Sequence, residues 1–446
     1  MAHSGMAQPV GQSMTVERSR ASHLNGYDVL TFMIPCLMFL KINAVGVLIG
    51  SDLMLLFTFI YLALRGKLRV SSPMAKRFVV LCSLWLVSQI VTDIVRGSAF
   101  VDYVRGWSNI GLTLINFAVI YTLVYGRWRR IVLYGWGAVA GGLLSYFTVR
   151  SDPAFSGYPW KFIFSYPVTL AIFLIASRKE CRGHWPITLS VLIGIVNLGL
   201  GSRGEGGFCL AAAVYLLVVR YLRGKNAGSS KMKFRAVAVI AASLVAGAFC
   251  VYFAYGYAAS TGILGEDARV KYAAQSSGKY GVLLGGRSEL FGSIPAIYDS
   301  PILGHGSWAK DLKYLIIRRR AMALLGYQNF EDTPEQDIVS GIIQTHSYLL
   351  GAWVYAGILG AIFWAWVWVI VLKVLVRAYP PKFVLPAMVP WMAFELLWAI
   401  LFSPYGVGQR IMAPYFIVIF IGYLNIKSRK AVSSGAQMTV ARIQTA

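Results

Sequence analysis

Two arginines and a histidine sit where side-chain type and position could together support chemistry. Arg203 in "LGLGSRGEGGFCLAAAV", Arg287 in "LLGGRSELFG" and His346 in "QTHSYLL" each fall where a polar or glycine-rich stretch gives way to an apolar run. A guanidinium presents a planar fork of donors that suits phosphate oxygens. The start of a helix adds unpaired N–H groups and partial positive charge. Two arginines at helix starts on one face therefore predict a pocket for a phosphate or diphosphate. The same field favours a neutral imidazole at position 346, a form that can accept a proton. Each residue taken alone also has a structural reading, as an interfacial anchor or a satisfied boundary residue.

The elements that must position these residues follow from composition. Of 446 residues, 57% are hydrophobic and 13% charged, and the mean hydropathy is +0.61. A soluble protein is roughly 45–50% apolar. Apolar runs of about 17–25 residues, each long enough to cross a hydrocarbon core, recur along the whole chain. The pattern predicts an all-α polytopic membrane protein of about twelve transmembrane helices. They are expected near residues 28–41, 46–64, 78–95, 108–125, 131–149, 161–177, 186–201, 206–222, 236–256, 347–372, 383–402 and 409–425.

The 42 Lys and Arg against 18 Asp and Glu give a formal charge of +24, which in this setting reports topology before any nucleic acid. Most of the basic residues fall in alternate connections, such as "RGKLRVSSPMAKR", "GRWRR" and "RYLRGKNAGSSKMKFR". The positive-inside rule then predicts cytoplasmic tails at 1–27 and 426–446, with no cleaved signal peptide, around a membrane domain at 28–425. One large loop, 257–346, falls on the opposite, extracytoplasmic face and carries amphipathic helices. In it "RSELFGSIPAIYDS" places Leu290, Phe291, Ile294, Ile297 and Tyr298 on one face, and "WAKDLKYLIIRRRAMALLG" reads as a basic stretch lying on the membrane surface.

Topology leaves Arg203, Arg287, Arg410 and the run Arg318 to Arg320 on the wrong side for the rule. The spans starting near 206 and 347 both run inward from that face, so their N-termini meet there. The run at 318–320 reads as a lipid-headgroup contact. Intramembrane Asp93 and Glu395 are functional by default or else members of structural ion pairs. The five cysteines (Cys36, Cys82, Cys181, Cys209 and Cys250) show no metal-ligand spacing and call for neither a disulfide framework nor zinc.

The order of these motifs resembles the O-antigen ligase and O-antigen polymerase family. It runs from SRG at the start of an inward span, through GR with an amphipathic helix and "SPILGHGSWA", to "THSYLL" with "YAGILGA". The motifs cover roughly residues 186–372. The resemblance implies a glycosyltransferase of the bacterial inner membrane, acting at the periplasmic face without a metal or other cofactor. The donor would be an undecaprenyl-diphosphate-linked glycan. The acceptor would be a lipid-linked repeat unit for a polymerase, or lipid A core for a ligase. Arg203 and Arg287 match the arginines assigned to the diphosphate, and His346 the histidine assigned to acceptor activation. His305 lies inside the matching glycine-rich turn, Gly304 to Gly306, and is a second candidate beside His346. Arg410 and Glu395 are further secondary candidates. Membrane lipids are the other expected partner, and nucleic acid is not one.

Two other classes compete. A transporter or flippase of lipid-linked sugars would line a path through the membrane with charge and often repeat its halves, whereas these charges cluster at one face. A non-catalytic assembly scaffold gives no reason for two arginines and a histidine at helix starts.

Overall fold

The computed structural model describes residues 24–44, 46–149, 155, 157–177, 183–225, 234–327, 341–377, 385 and 387–425. Most of both expected tails, and Cys181, lie outside the described residues.

The first helix, α1 (Gly26–Cys36), opens on a capping box. The Asn25 side chain accepts the Asp28 N–H at 3.0 Å, and the Asp28 carboxylate accepts the Asn25 N–H at 3.4 Å. The expected first two spans then meet in an antiparallel pair, β1 (Lys41–Ala44) and β2 (Gly46–Ile49), with Lys41 opposite Ile49. This corrects the continuous helical spans read from the sequence. The polar Lys41 and Asn43 break the apolar run, and cross-strand pairing satisfies the backbone there.

The following helices are α2 (Gly50–Leu64), α3 (Pro73–Arg96), α4 (Phe100–Val124) and α5 (Trp128–Val149). A π-helical turn, Trp160–Phe164, leads into α6 (Ser165–Ala176), followed by α7 (Trp185–Gly199), α8 (Arg203–Lys225) and α9 (Phe234–Ser260). Local signals set the boundaries. Ser72 caps α3 by accepting the Ala75 N–H at 3.1 Å, Pro73 takes the first helical position, and Gly97 ends the helix at φ 63°.

Four of the described helices lie in the expected loop: α10 (Glu266–Ser276), α11 (Gly281–Gly285), α12 (Leu290–Asp299) and α13 (Leu312–Leu324). The chain returns through α14 (Tyr348–Ala356), α15 (Ile358–Val376), α16 (Met388–Phe402) and α17 (409–425). Among the described residues six helices are long and apolar enough to cross a membrane, and α1, α2, α6, α7 and α16 belong to shorter apolar segments.

Helix α17 is buried on every side from Arg410 to Leu424, as expected of a helix surrounded by others. Aromatic contacts tie α3 to its neighbours. Phe78 stacks on Phe117 of α4 at 3.7 Å between ring centroids, and Trp85 stacks on Phe363 of α15 at 5.2 Å.

The stretch 347–372, read as one span, is two helices broken at Gly357, which adopts φ 69° and ψ −162°. The break receives the glycine-rich turn of the loop. His305 N–H donates to the Val354 carbonyl at 2.7 Å, Gly306 N–H to Tyr355 at 3.1 Å, and Ile358 N–H to Ile302 at 3.2 Å. The backbone groups freed by the break are thereby paired inside the protein.

The C-terminal end of α3 grips the same turn. The buried Asp93 carboxylate accepts from Ser307 N–H (2.6 Å), Ser307 Oγ (2.7 Å), Ser98 Oγ (2.6 Å), Trp107 Nε1 (2.8 Å) and Gln89 Nε2 (3.2 Å). Arg96 donates to the Gly304 carbonyl at 3.0 Å and to Ser300 Oγ at 2.7 Å. Asp93 is thus an anchor for the loop, held among the described residues by neutral donors and not by the ion pair that was one of its two readings.

A side chain at 357 would strain a backbone conformation close to glycine-only, and its Cβ would run into the Ile302 carbonyl. Gly357→Ala should therefore destabilise the protein by about 1–3 kcal/mol. A lowered Tm of the detergent-solubilised protein would register this, and an unchanged Tm would contradict it.

Candidate active site

His346 is placed from both sides. Upstream, residues 341–343 pair with 309–311. Ile343 N–H donates to the Ala309 carbonyl and Asp311 N–H to the Gly341 carbonyl, both at 2.9 Å, and Tyr355 Oη donates to the Ile343 carbonyl at 2.9 Å. Downstream, Ser347 is the N-cap of α14. Its hydroxyl accepts the Leu350 N–H at 3.0 Å and donates to the Ile400 carbonyl of α16 at 2.8 Å. His346 therefore precedes the cap, at the N-terminal end of the helix as expected, with its side chain 46% exposed.

Its Nδ1 stands 3.4 Å from Oε1 of Glu289, a carboxylate whose side chain is only 17% exposed. Glu289 lies in the turn before α12 and is itself approached by Arg318 Nη2 at 3.9 Å. Arg318 also donates from Nε to Ser288 Oγ at 3.1 Å and from Nη1 to Gln344 Oε1. This overturns the reading of Arg318 as a headgroup contact. It faces inward on α13, and the buried Tyr314 and Met322 lie one turn to either side of it.

Arg287 and His346 line one small crevice with Glu289, Ser293, Leu350 and Phe402. The Arg287 guanidinium lies over the rings of Trp398 (4.8 Å) and Phe402 (5.0 Å), and its Nη1 donates to the Gly286 carbonyl at 3.1 Å. Burial pushes its pKa below the ordinary arginine value, against a smaller upward effect of Glu289. A half-buried cation resting on apolar rings is well placed to gain from an arriving anion.

Arg203 is the first residue of α8 and lies outside the crevice lining. Its guanidinium sits over Tyr255 at 4.2 Å, and Nη1 reaches Gln275 Oε1 at 3.5 Å. The neighbourhood links back to Arg287. Phe208, further along α8, contacts Trp398 at 6.1 Å between centroids, and Gln275 abuts Gly285 and Gly286. Lys161 lies within electrostatic reach of both Arg203 and Lys271. A guanidinium at the positive end of a helix is unfavourable by itself, and a bound anion would reverse that.

The secondary candidates lie elsewhere. His305 donates from Nε2 to the Ala296 carbonyl at 2.7 Å and packs edge-on against Tyr314, so its ring holds the turn to α12 and α13. Glu395 is inside α16 with Glu205 as its charged neighbour, and its Oε2 is buried without a hydrogen-bond partner among the described residues. The charge that acts on it is another carboxylate, and among the described residues it makes no ion pair of the kind considered from sequence. Trp391 Nε1 donates to Glu205 at 3.1 Å.

Arg410 is 4% exposed. It donates from Nε to Asp52 Oδ1 at 3.0 Å and from Nη2 to Asp52 Oδ2 and to the Val47 carbonyl at 3.0 Å. Arg410 is a structural clamp between α17 and the start of α2. Arg410→Leu would leave the Asp52 charge buried and unpaired, a loss of about 3–5 kcal/mol. Thermal unfolding should show that loss, with partial recovery when Asp52→Asn is added; equal Tm values for wild type and Arg410→Leu would refute the clamp.

Glu289 was missed from sequence, although an acidic residue two positions after Arg287 was a usable signal. Arg318 was open to detection by its i, i+4 spacing from Tyr314. Among the described residues no group of three or more His, Cys, Asp or Glu is arranged to hold a metal.

No curated protein and no solved structure is significantly similar to the chain. A family model described as O-antigen ligase matches residues 188–365. The matched segment contains Arg203, Arg287, Glu289, Arg318 and His346, and over these residues the chain is similar to the O-antigen ligase family.

Proposed function

We propose that the protein is a glycosyltransferase of bacterial surface-polysaccharide assembly, working at the periplasmic face of the inner membrane through about twelve spans. It transfers a glycan from an undecaprenyl-diphosphate carrier to a sugar hydroxyl. The observation that carries this reading is the crevice in which Arg287 and His346 meet, with Glu289 behind the imidazole.

With Nδ1 directed at Glu289, the imidazole keeps its proton on that nitrogen and leaves Nε2 as the base. Nε2 takes the proton of the acceptor hydroxyl as its oxygen bonds to the anomeric carbon of the donor. The bond from that carbon to the diphosphate oxygen breaks, and the electron pair leaves with the carrier diphosphate. Glu289 compensates the imidazolium that forms. Arg203 and Arg287 neutralise the departing diphosphate, the role a metal fills in many soluble glycosyltransferases. A single displacement inverts the anomeric configuration.

Purified protein given lipid-linked repeat units, with and without lipid A core, separates the two acceptors by gel laddering. Growth of the lipid-linked chain alone selects polymerase, and transfer to core alone selects ligase. In the same assay His346→Ala should lose about 10²–10⁴ in rate. Arg203→Ala and Arg287→Ala should each lose about 10²–10³, with membrane insertion intact in all three. Full activity of His346→Ala would remove the base from the scheme.

Glu289 acts through His346 and is a positioning residue. Glu289→Gln should lower kcat about tenfold or more with KM for the donor unchanged, and Glu289→Asp should restore part of the rate. A change confined to KM would contradict that role.

A further inference from the structure

A second basic site lies at the far end of the bundle from His346. Helix α17 begins shortly after the end of α16 that carries Phe402 and runs on to Asn425, a rise of about 25 Å at roughly 1.5 Å per residue. Asn425 lines an open cavity of about 880 Å³, within the range of small-ligand sites, roughly 300–1,000 Å³. Lys67 and Arg69, from the connection between α2 and α3, and Arg127 and Arg130, at the start of α5, also line it. Among the described residues no carboxylate does.

The positive-inside rule accounts for basic residues in these connections, but not for their convergence on one cavity. The acid nearby is already neutralised. Asp28 accepts from Arg130 Nε at 2.9 Å and is approached by Arg129 at 3.7 Å. Among the described residues Arg127 commits only Nη1, to the carbonyls of Thr122 (2.6 Å) and Leu123 (3.1 Å). Burial, then the like charges of Arg130 and Arg69, push its pKa below the ordinary arginine value. Lys67 Nζ meets the Tyr27 hydroxyl at 3.4 Å. The Arg69 guanidinium has no hydrogen-bond partner among the described residues.

We propose that this cavity binds a phosphate group, in which Lys67, Arg69 and Arg127 supply the charge and Tyr27 and Tyr121 line the wall. A compact anion with several acceptor oxygens matches guanidinium forks and an ammonium better than a single carboxylate does. The phosphate can belong to a lipid headgroup, whose chain would run beside the exposed Leu64, or to a soluble phosphate. The site is separate from the transfer chemistry and does not depend on it.

The test uses the full-length protein in detergent and two probes, phosphatidic acid followed by native mass spectrometry and inorganic pyrophosphate followed by calorimetry. The double variant Lys67→Gln/Arg69→Gln changes two exposed side chains. Arg77→Gln, exposed on α3 and outside the cavity lining, removes one charge from the same end of the bundle. Wild type and Arg77→Gln should bind at least one probe about tenfold or more tightly than the double variant, which lacks two charged donors. A difference for phosphatidic acid alone identifies a lipid phosphate, and one for pyrophosphate alone a soluble phosphate. Equal binding by wild type and the double variant for both probes, or an equal loss in Arg77→Gln, would overturn the site.

Discussion

The arrangement depends on one buried carboxylate. Asp93, near the end of α3, gathers five donors, two of them from Ser307, and so fastens the glycine-rich turn of the loop to the helices beneath it. The turn in turn fills the break between α14 and α15, where its amides take the carbonyls of Val354 and Tyr355. A buried anion is costly unless its lone pairs are satisfied, and the sequence meets that cost with neutral N–H and O–H groups. The turn is held as a fixed part of the bundle, and Glu289, Arg287 and His346 take their relative positions from the elements packed around it.

From this anchor the chemistry is a matter of short reach. The turn positions α12 through His305, whose ring donates to Ala296. Glu289, at the start of α12, faces His346, which Ser347 and the pairing of 341–343 with 309–311 hold from the other side. Arg287 rests on the aromatic rings at the end of α16, and Arg203 stands at the start of the adjacent α8. The imidazole thus shares its crevice with the Arg287 guanidinium and faces the Glu289 carboxylate, which Arg318 approaches in turn, a set of charges suited to a departing anion and an arriving proton.

What the sequence disclosed and what it concealed divide along the range of the interactions involved. Arg203, Arg287 and His346 were legible because each departs from a local pattern, a cation or imidazole at an apolar boundary on the face that the positive-inside rule expects to be poor in basic residues. Arg410 had the same local signature, but its partner Asp52 is 358 positions away in the chain, and only the packed structure shows that the pair is a clamp. The break at Gly357 was hidden in an apolar run, because hydropathy reads side chains and not backbone dihedrals. Its trace was a glycine in "YAGILGA", across from the glycines of "LGHGS" in the fold. Asp93 read as an isolated intramembrane charge because its donors come from α3, α4 and the loop.

The most direct measurement is a structure of the full-length protein in lipid nanodiscs with undecaprenyl diphosphate bound. The account predicts the diphosphate between Arg203 and Arg287, with its free phosphate end directed toward the crevice that holds His346. Diphosphate bound away from both arginines, or bound to them with that end turned away from His346, would contradict it.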